Sequence, residues 1–181
     1  GSGAMGLFPS GFVKNLAHGN VVFKSSTSDV RMADAGSGFT STIGGRLIIE
    51  STFSNAVNFT NSAITGTLTV KGNLIHNGTG SLRLCSSTTT TNVTLNVDSS
   101  MSITNTGNFN FNASNGSTHT STLRIKGDLT VASGAYITNT STSVKGSLVF
   151  NGTGDGSTPD LTQVVNIAST NAARNQYINF N

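Results

Sequence analysis

The chain has 181 residues, 35% of them hydrophobic and only 9% charged, and ten basic against seven acidic side chains leave a formal net charge of +3. The basic residues are spread along the chain without a Lys/Arg cluster, which argues against a nucleic-acid binder. No apolar run approaches the roughly 18 residues of a membrane span, and the single cysteine, Cys85, closes no intrachain disulfide and completes no zinc site.

Gly1 to Gly6 reads as an expression-tag remnant outside the fold. The segment 7–20 has Phe8 and Phe12 separated by Pro9 and Gly11, a pattern with neither helical nor strand period, and is expected to cap one end of the domain. Val21-Val22-Phe23 begins the β pattern, whereas Asp29 to Asp34 is read as loop because Gly36 and Gly38 follow closely.

From Arg46-Leu47-Ile48-Ile49 onward the chain is a succession of short apolar-polar-apolar triplets. They include Val57-Asn58-Phe59, Leu68-Thr69-Val70, Leu82-Arg83-Leu84 and Met101-Ser102-Ile103, then Leu123-Arg124-Ile125, Leu129-Thr130-Val131 and Leu148-Val149-Phe150. The two-residue period is that of strands with one buried face. Turn signals such as Asn77-Gly78 and Asn151-Gly152 lie between them. Ser, Thr, Asn and Gly make up about half of the chain, but the regular β-branched patterning is not that of a disordered polymer.

One motif recurs. Val70-Lys71-Gly72-Asn73-Leu74 is repeated as Ile125-Lys126-Gly127-Asp128-Leu129 and Val144-Lys145-Gly146-Ser147-Leu148, with looser copies at Ile49-Glu50 and Val97-Asp98 and degenerate ones at Phe23-Lys24 and Ile167-Ala168. The second positions are separated by 26, 21, 27, 28, 19 and 23 residues. A repeat averaging about 24 residues is in the range of solenoids, and two or three short strands per repeat is the arithmetic of a β-helix coil. The expected fold is all-β: a right-handed parallel β-helix of about seven irregular coils in a single domain over 7–181. An antiparallel sandwich also uses short strands, but it has no need of one charged corner recurring in every repeat.

Stacked in neighbouring coils, Lys24, Glu50, Lys71, Asp98, Lys126 and Lys145 would form a vertical charge ladder, alternating in sign over the first five. Inward positions are expected at Leu68, Val70 and Leu74, with Leu123, Ile125 and Leu129, then Val144, Leu148 and Phe150, as their counterparts. Outward Thr, Asn and Ser would form hydrogen-bonded ladders.

The texture of Gly66 to Leu74, Leu123 to Ala135 and Leu148 to Gly154 resembles the right-handed β-helix regions of large secreted and cell-surface bacterial adhesin-like proteins, over most of the chain from about residue 44. The resemblance implies an extracellular, bacterial cell-surface location, a role as a stalk or adhesive segment of a longer protein, and a host or environmental surface, glycan or protein, as partner.

No catalytic residue is assigned. The seven carboxylates fall mostly one per coil, with Glu50 and Asp98 placed in the same column around Lys71. Glycoside hydrolysis needs two carboxylates converging. No cofactor is expected; the one metal candidate is a Ca²⁺ loop at Asp155 and Asp160. His18, His76 and His119 are isolated, and no Gly-x-Ser-x-Gly elbow is present. The favoured function is structural and adhesive, without chemistry of its own. The alternatives are a carbohydrate-binding or carbohydrate-active β-helix of lyase or glycosidase type, and a homotrimeric fibre or tail-spike segment rather than a monomer. Ice binding through threonine rows such as Thr65 to Thr69 and Thr88 to Thr91 ranks last, because intervals of 19 to 28 residues argue against a flat, regular face.

Overall fold

A computed structural model describes residues 19–24, 30–31, 39–50, 56–60, 65–86, 92–114, 120–144, 146–152, 163–169 and 178–180. The Asp155/Asp160 loop, Lys145, His18, His119, Thr88 to Thr91 and most of the expected 7–20 cap lie outside these residues. The described part is a parallel β-solenoid. Every strand pairing is parallel, which removes the sandwich alternative.

Three strands make one turn. Sheet I stacks β1 (Val21–Phe23), β4 (Leu47–Ile49), β7 (Leu74–His76), β10 (Met101–Ile103), β13 (Leu129–Val131) and β16 (Val165–Ile167). Sheet II stacks β2 (Val30–Arg31), β5 (Ala56–Thr60), β8 (Ser81–Cys85), β11 (Asn108–Asn112) and β14 (Tyr136–Thr138). Sheet III stacks β3 (Phe39–Ile43), β6 (Gly66–Val70), β9 (Val93–Val97), β12 (Ser121–Ile125), β15 (Gly146–Phe150) and β17 (Ile178–Phe180). The described residues therefore build six levels where the repeat predicted about seven, a stack of roughly 29 Å at the usual strand separation.

The overcount has a structural origin. The register partners Val21, Leu47, Leu74, Met101, Leu129 and Val165 give true repeats of 26, 27, 27, 28 and 36 residues. The motif at Val70, Val97 and Ile125 closes sheet III and leads into sheet I, whereas Ile49-Glu50 leaves sheet I and Val144 to Leu148 leads into β15. The one motif thus marks three different corners, III to I, I to II and II to III. Val144 accordingly has no place in the inner column. The counterparts of Leu68 and Val70 at that level are Leu148 and Phe150, and the Val144 carbonyl accepts a bond from Asn139 Nδ2 at 2.7 Å.

The core is built from alternate positions of all three sheets. In sheet I, Leu47, Leu74, Met101 and Leu129 stack in one buried column and Phe23, Ile49, His76, Ile103 and Val131 in the next. Sheet II contributes Val57, Leu82, Phe109 and Ile137, and Phe109 meets Phe111 edge to face at 5.1 Å. Sheet III contributes Leu68, Leu95, Leu123 and Leu148, and Cys85 is also buried in this cluster.

Two strands do not show as apolar triplets. In β3 the central inward position is Ser41, 3% exposed, and in β7 the last inward position is His76, fully buried; a polar residue at an inward position hides the alternation. In β14 only Ile137 points inward. Val30–Arg31, read as loop, is a two-residue strand paired with β5.

Candidate functional site

The corner from sheet III to sheet I is the most regular part of the molecule. Three residues separate β3 from β4, β6 from β7, β9 from β10 and β12 from β13. Its third position forms a column in which a side chain on one level accepts the backbone N–H of the next. Asn20 Oδ1 receives Arg46 N at 2.8 Å, Asn73 Oδ1 receives Ser100 N at 3.3 Å, Ser100 Oγ receives Asp128 N at 3.1 Å and Asp128 Oδ1 receives Val164 N at 2.9 Å. Such bonds satisfy turn amides that a sheet ladder does not reach. The middle position favours glycine for lack of space. A Cβ on Gly72 would lie 2.8 Å from the Gly45 carbonyl oxygen, and one on Gly127 would lie 2.7 Å from the Ser99 carbonyl carbon.

The first position of this corner carries the charges. Lys71 N bonds Ile43 O, Asp98 N bonds Val70 O, Lys126 N bonds Val97 O and Asn151 N bonds Ile125 O, so Lys71, Asp98, Lys126 and Asn151 stand directly above one another. Lys71 Nζ donates to Asp98 Oδ2 at 2.5 Å and Lys126 Nζ donates to Asp98 Oδ1 at 2.8 Å. The Asp98 side chain is 15% exposed between lysines that are about half exposed. Partial burial pushes its carboxyl up, but the bonds from Lys126 and Lys71, with their charges, outweigh this and hold it below the ordinary carboxylate range.

Glu50 is not in this column. It lies where sheet I ends, one corner further on, 3.9 Å from Lys24, and the pair is 40% and 79% exposed. The expected ladder is thus two structures: an exposed pair, Lys24–Glu50, and a tight triad, Lys71–Asp98–Lys126. The expected juxtaposition of Glu50 and Asp98 in a single column is removed by the same division. Among the described residues no group of three or more His, Cys, Asp or Glu comes together.

Beside the triad, the outer face of sheet III carries a polar surface that sequence intervals concealed. Thr40, Thr67, Thr94, Thr122 and Ser147 are register partners, as are Thr42, Thr69, Asn96, Arg124 and Val149. The first column repeats every 27, 27, 28 and 25 residues, so the irregular spacing expected to spoil a flat hydroxyl face does not apply here. The second column does depart from it: Asn96, Arg124 and Val149 replace threonine, and Arg124 is exposed. Between this column and the triad lies an open groove of about 300 Å³, lined by Thr69, Asn96 and Arg124 on one side and Lys71, Asp98, Lys126 and Asn151 on the other.

Two further features lie away from the groove. His76 is fully buried. Its Nε2 bonds the Gly80 carbonyl at 3.0 Å, while Nδ1 has no hydrogen-bond partner. Desolvation lowers its pKa below the usual 6.5, against the opposing effect of the nearby backbone groups at Gly80, Ile49 and Asn108. The large hydrophobic side chains exposed among the described residues are Val22 at one end of sheet I and Val164 and Val165 at the other, too far apart to form one seam. Among the described residues no helix is long and apolar enough to cross a membrane. Comparison of the chain with known protein families, curated proteins and solved structures finds no match.

Proposed function

We propose that this chain is a rigid, non-catalytic segment of an extracellular bacterial surface protein, one that spaces and presents adhesive contacts. The observation that supports this reading most is the continuous axial register. Strands on all six levels pair in parallel with their neighbours, and the corner side chains bond from level to level along the same axis. A body held by hydrogen bonds along its length resists bending, and its outward threonine, serine and asparagine columns present repeated, nearly neutral hydrogen-bonding surface.

The test is display of residues 7–181 on a non-adherent cell, followed by retention under flow on glycan-coated and protein-coated surfaces. Retention above that of the bare cell is the expected result. No gain on any surface overturns the adhesive role, and release of shortened or unsaturated sugars from polysaccharide incubated with the chain overturns the non-catalytic one.

A further inference from the structure

We infer that the groove on sheet III is a binding site for a carboxylated polysaccharide lying along the solenoid axis. This rests on the adhesive reading and names its ligand class. The first support is charge. Lys71, Arg124 and Lys126 face the groove against one carboxylate, Asp98, so three cations and one anion leave a formal charge of +2. Asp128, two residues beyond Lys126, is turned to a backbone amide around the corner.

The second support is how those charges are arranged. Asp98 occupies the space between Lys71 and Lys126, one level from each, and its two oxygens are divided between them. Arg124 is the cation left over: it is exposed and makes no ion pair with any described residue. Its planar guanidinium matches a carboxylate through two parallel N–H bonds. Each lysine ammonium has three donors, so protons remain for a ligand after the bond to Asp98.

The neutral lining selects the rest of the ligand. Thr69, Asn96 and Asn151 offer both donors and acceptors at successive levels, and the threonine column at Thr67, Thr94 and Thr122 continues the same chemistry next to the groove. Sugar hydroxyls need this mixture. An extended pyranose chain also advances by close to one strand separation per sugar, about 4.8 Å in the sheet, so successive rings would meet successive levels. A single-stranded nucleic acid would call for aromatic stacking platforms, and the groove is lined by none.

The experiment measures binding of the whole chain to polygalacturonate, with dextran sulfate and neutral dextran as comparison polymers. Arg124→Gln is the principal variant, because it removes a cation that holds no described ion pair. Lys126→Gln is the second, and Lys24→Gln removes the same charge at a distant corner. Thermal melting establishes that each is folded. Polygalacturonate is expected to bind in preference to both other polymers, on the order of fivefold more weakly when salt is raised from low to physiological ionic strength, and about tenfold more weakly after Arg124→Gln, as for loss of one charged hydrogen-bonded contact. Lys24→Gln should bind as the unaltered chain does. Absence of polygalacturonate binding overturns the proposal, as does equal or tighter binding of either comparison polymer or indifference to Arg124→Gln. Retention under flow that persists while polygalacturonate fails to bind removes the groove and leaves the adhesive role standing; loss of both removes the adhesive reading as well.

Discussion

The corner from sheet III to sheet I and the corner from sheet II to sheet III solve the same problem differently. The first uses three residues on four successive levels, 44–46, 71–73, 98–100 and 126–128. The second spends seven, five, seven, eight and seven residues between the strands of those two sheets. At the constant corner, close-packed glycines hold the middle position on three of the four levels and amide-capping side chains tie the third to its neighbours. The variable corner hands its slack to the loop, since lengthening a loop by a few residues costs little entropy. A solenoid needs its strands in register on every level, but it needs only one tightly specified corner per turn to set that register.

Leu129→Asp attacks what both corners exist to align. Leu129 is fully buried between Met101 and Val165, and an unpaired carboxylate there should cost about 4–5 kcal/mol or more; equilibrium denaturation would measure it. A paired insertion separates the corners themselves. One glycine added after Lys71 reverses which side chains of β7 face inward, and should cost about 2–4 kcal/mol, the range for losing buried side chains from a core. One glycine added after Thr89, between β8 and β9, should cost less than about 1 kcal/mol. Equal costs would mean that the constant length of the first corner carries no structural weight.

The charges give a smaller contrast. Asp98→Lys places a third cation between Lys71 and Lys126, and a loss of about 1–3 kcal/mol is expected, partly restored by salt. Glu50→Lys meets only Lys24, at an exposed corner where its counterpart on the next level is Asn77. Its effect should stay within about 0.5 kcal/mol. Melting both variants at low and high salt tests the division of the ladder directly.

The last prediction concerns His76, at the exit from sheet I. Protonation would put a charge in the core, where burial disfavours it. The folded chain therefore takes up that proton at lower pH than the unfolded chain, whose imidazole titrates near 6.5. Stability attributable to His76 is complete above that value and falls as the pH drops toward the lowered one, by up to about 1.4 kcal/mol per pH unit. His76→Leu, which continues the column of Ile49 and Ile103, should flatten the pH dependence in that interval, as measured by denaturation from pH 7 to pH 5.

The groove was only half legible in the chain. Lys71, Asp98 and Lys126 stand out because each follows an apolar strand end and precedes a small-residue turn, but Glu50 and Lys145 sit in settings that look the same over five residues. Arg124 could not be joined to them from spacing. In the strand triplet Leu123-Arg124-Ile125 it is one outward position among many, and its nearness to Asp98 follows from the pairing of Arg124 with Asn96. The threonine column has the same character, since residues 40, 67, 94 and 122 stand out from the chain's many other threonines only when one strand is laid upon another.

By itself the sequence determined that the chain forms short strands, that their alternate residues make a core and that the strands recur as a solenoid. Those properties rest on the two-residue period and on glycine-bearing turns, which are local. Tertiary structure decided the number of levels, the assignment of each charged position to its corner and the convergence of three cations on one groove. Those depend on which residues lie about one strand separation apart across neighbouring levels, a distance that spans 25 to 32 residues of this chain in sheet III and that loop lengths alone can shift.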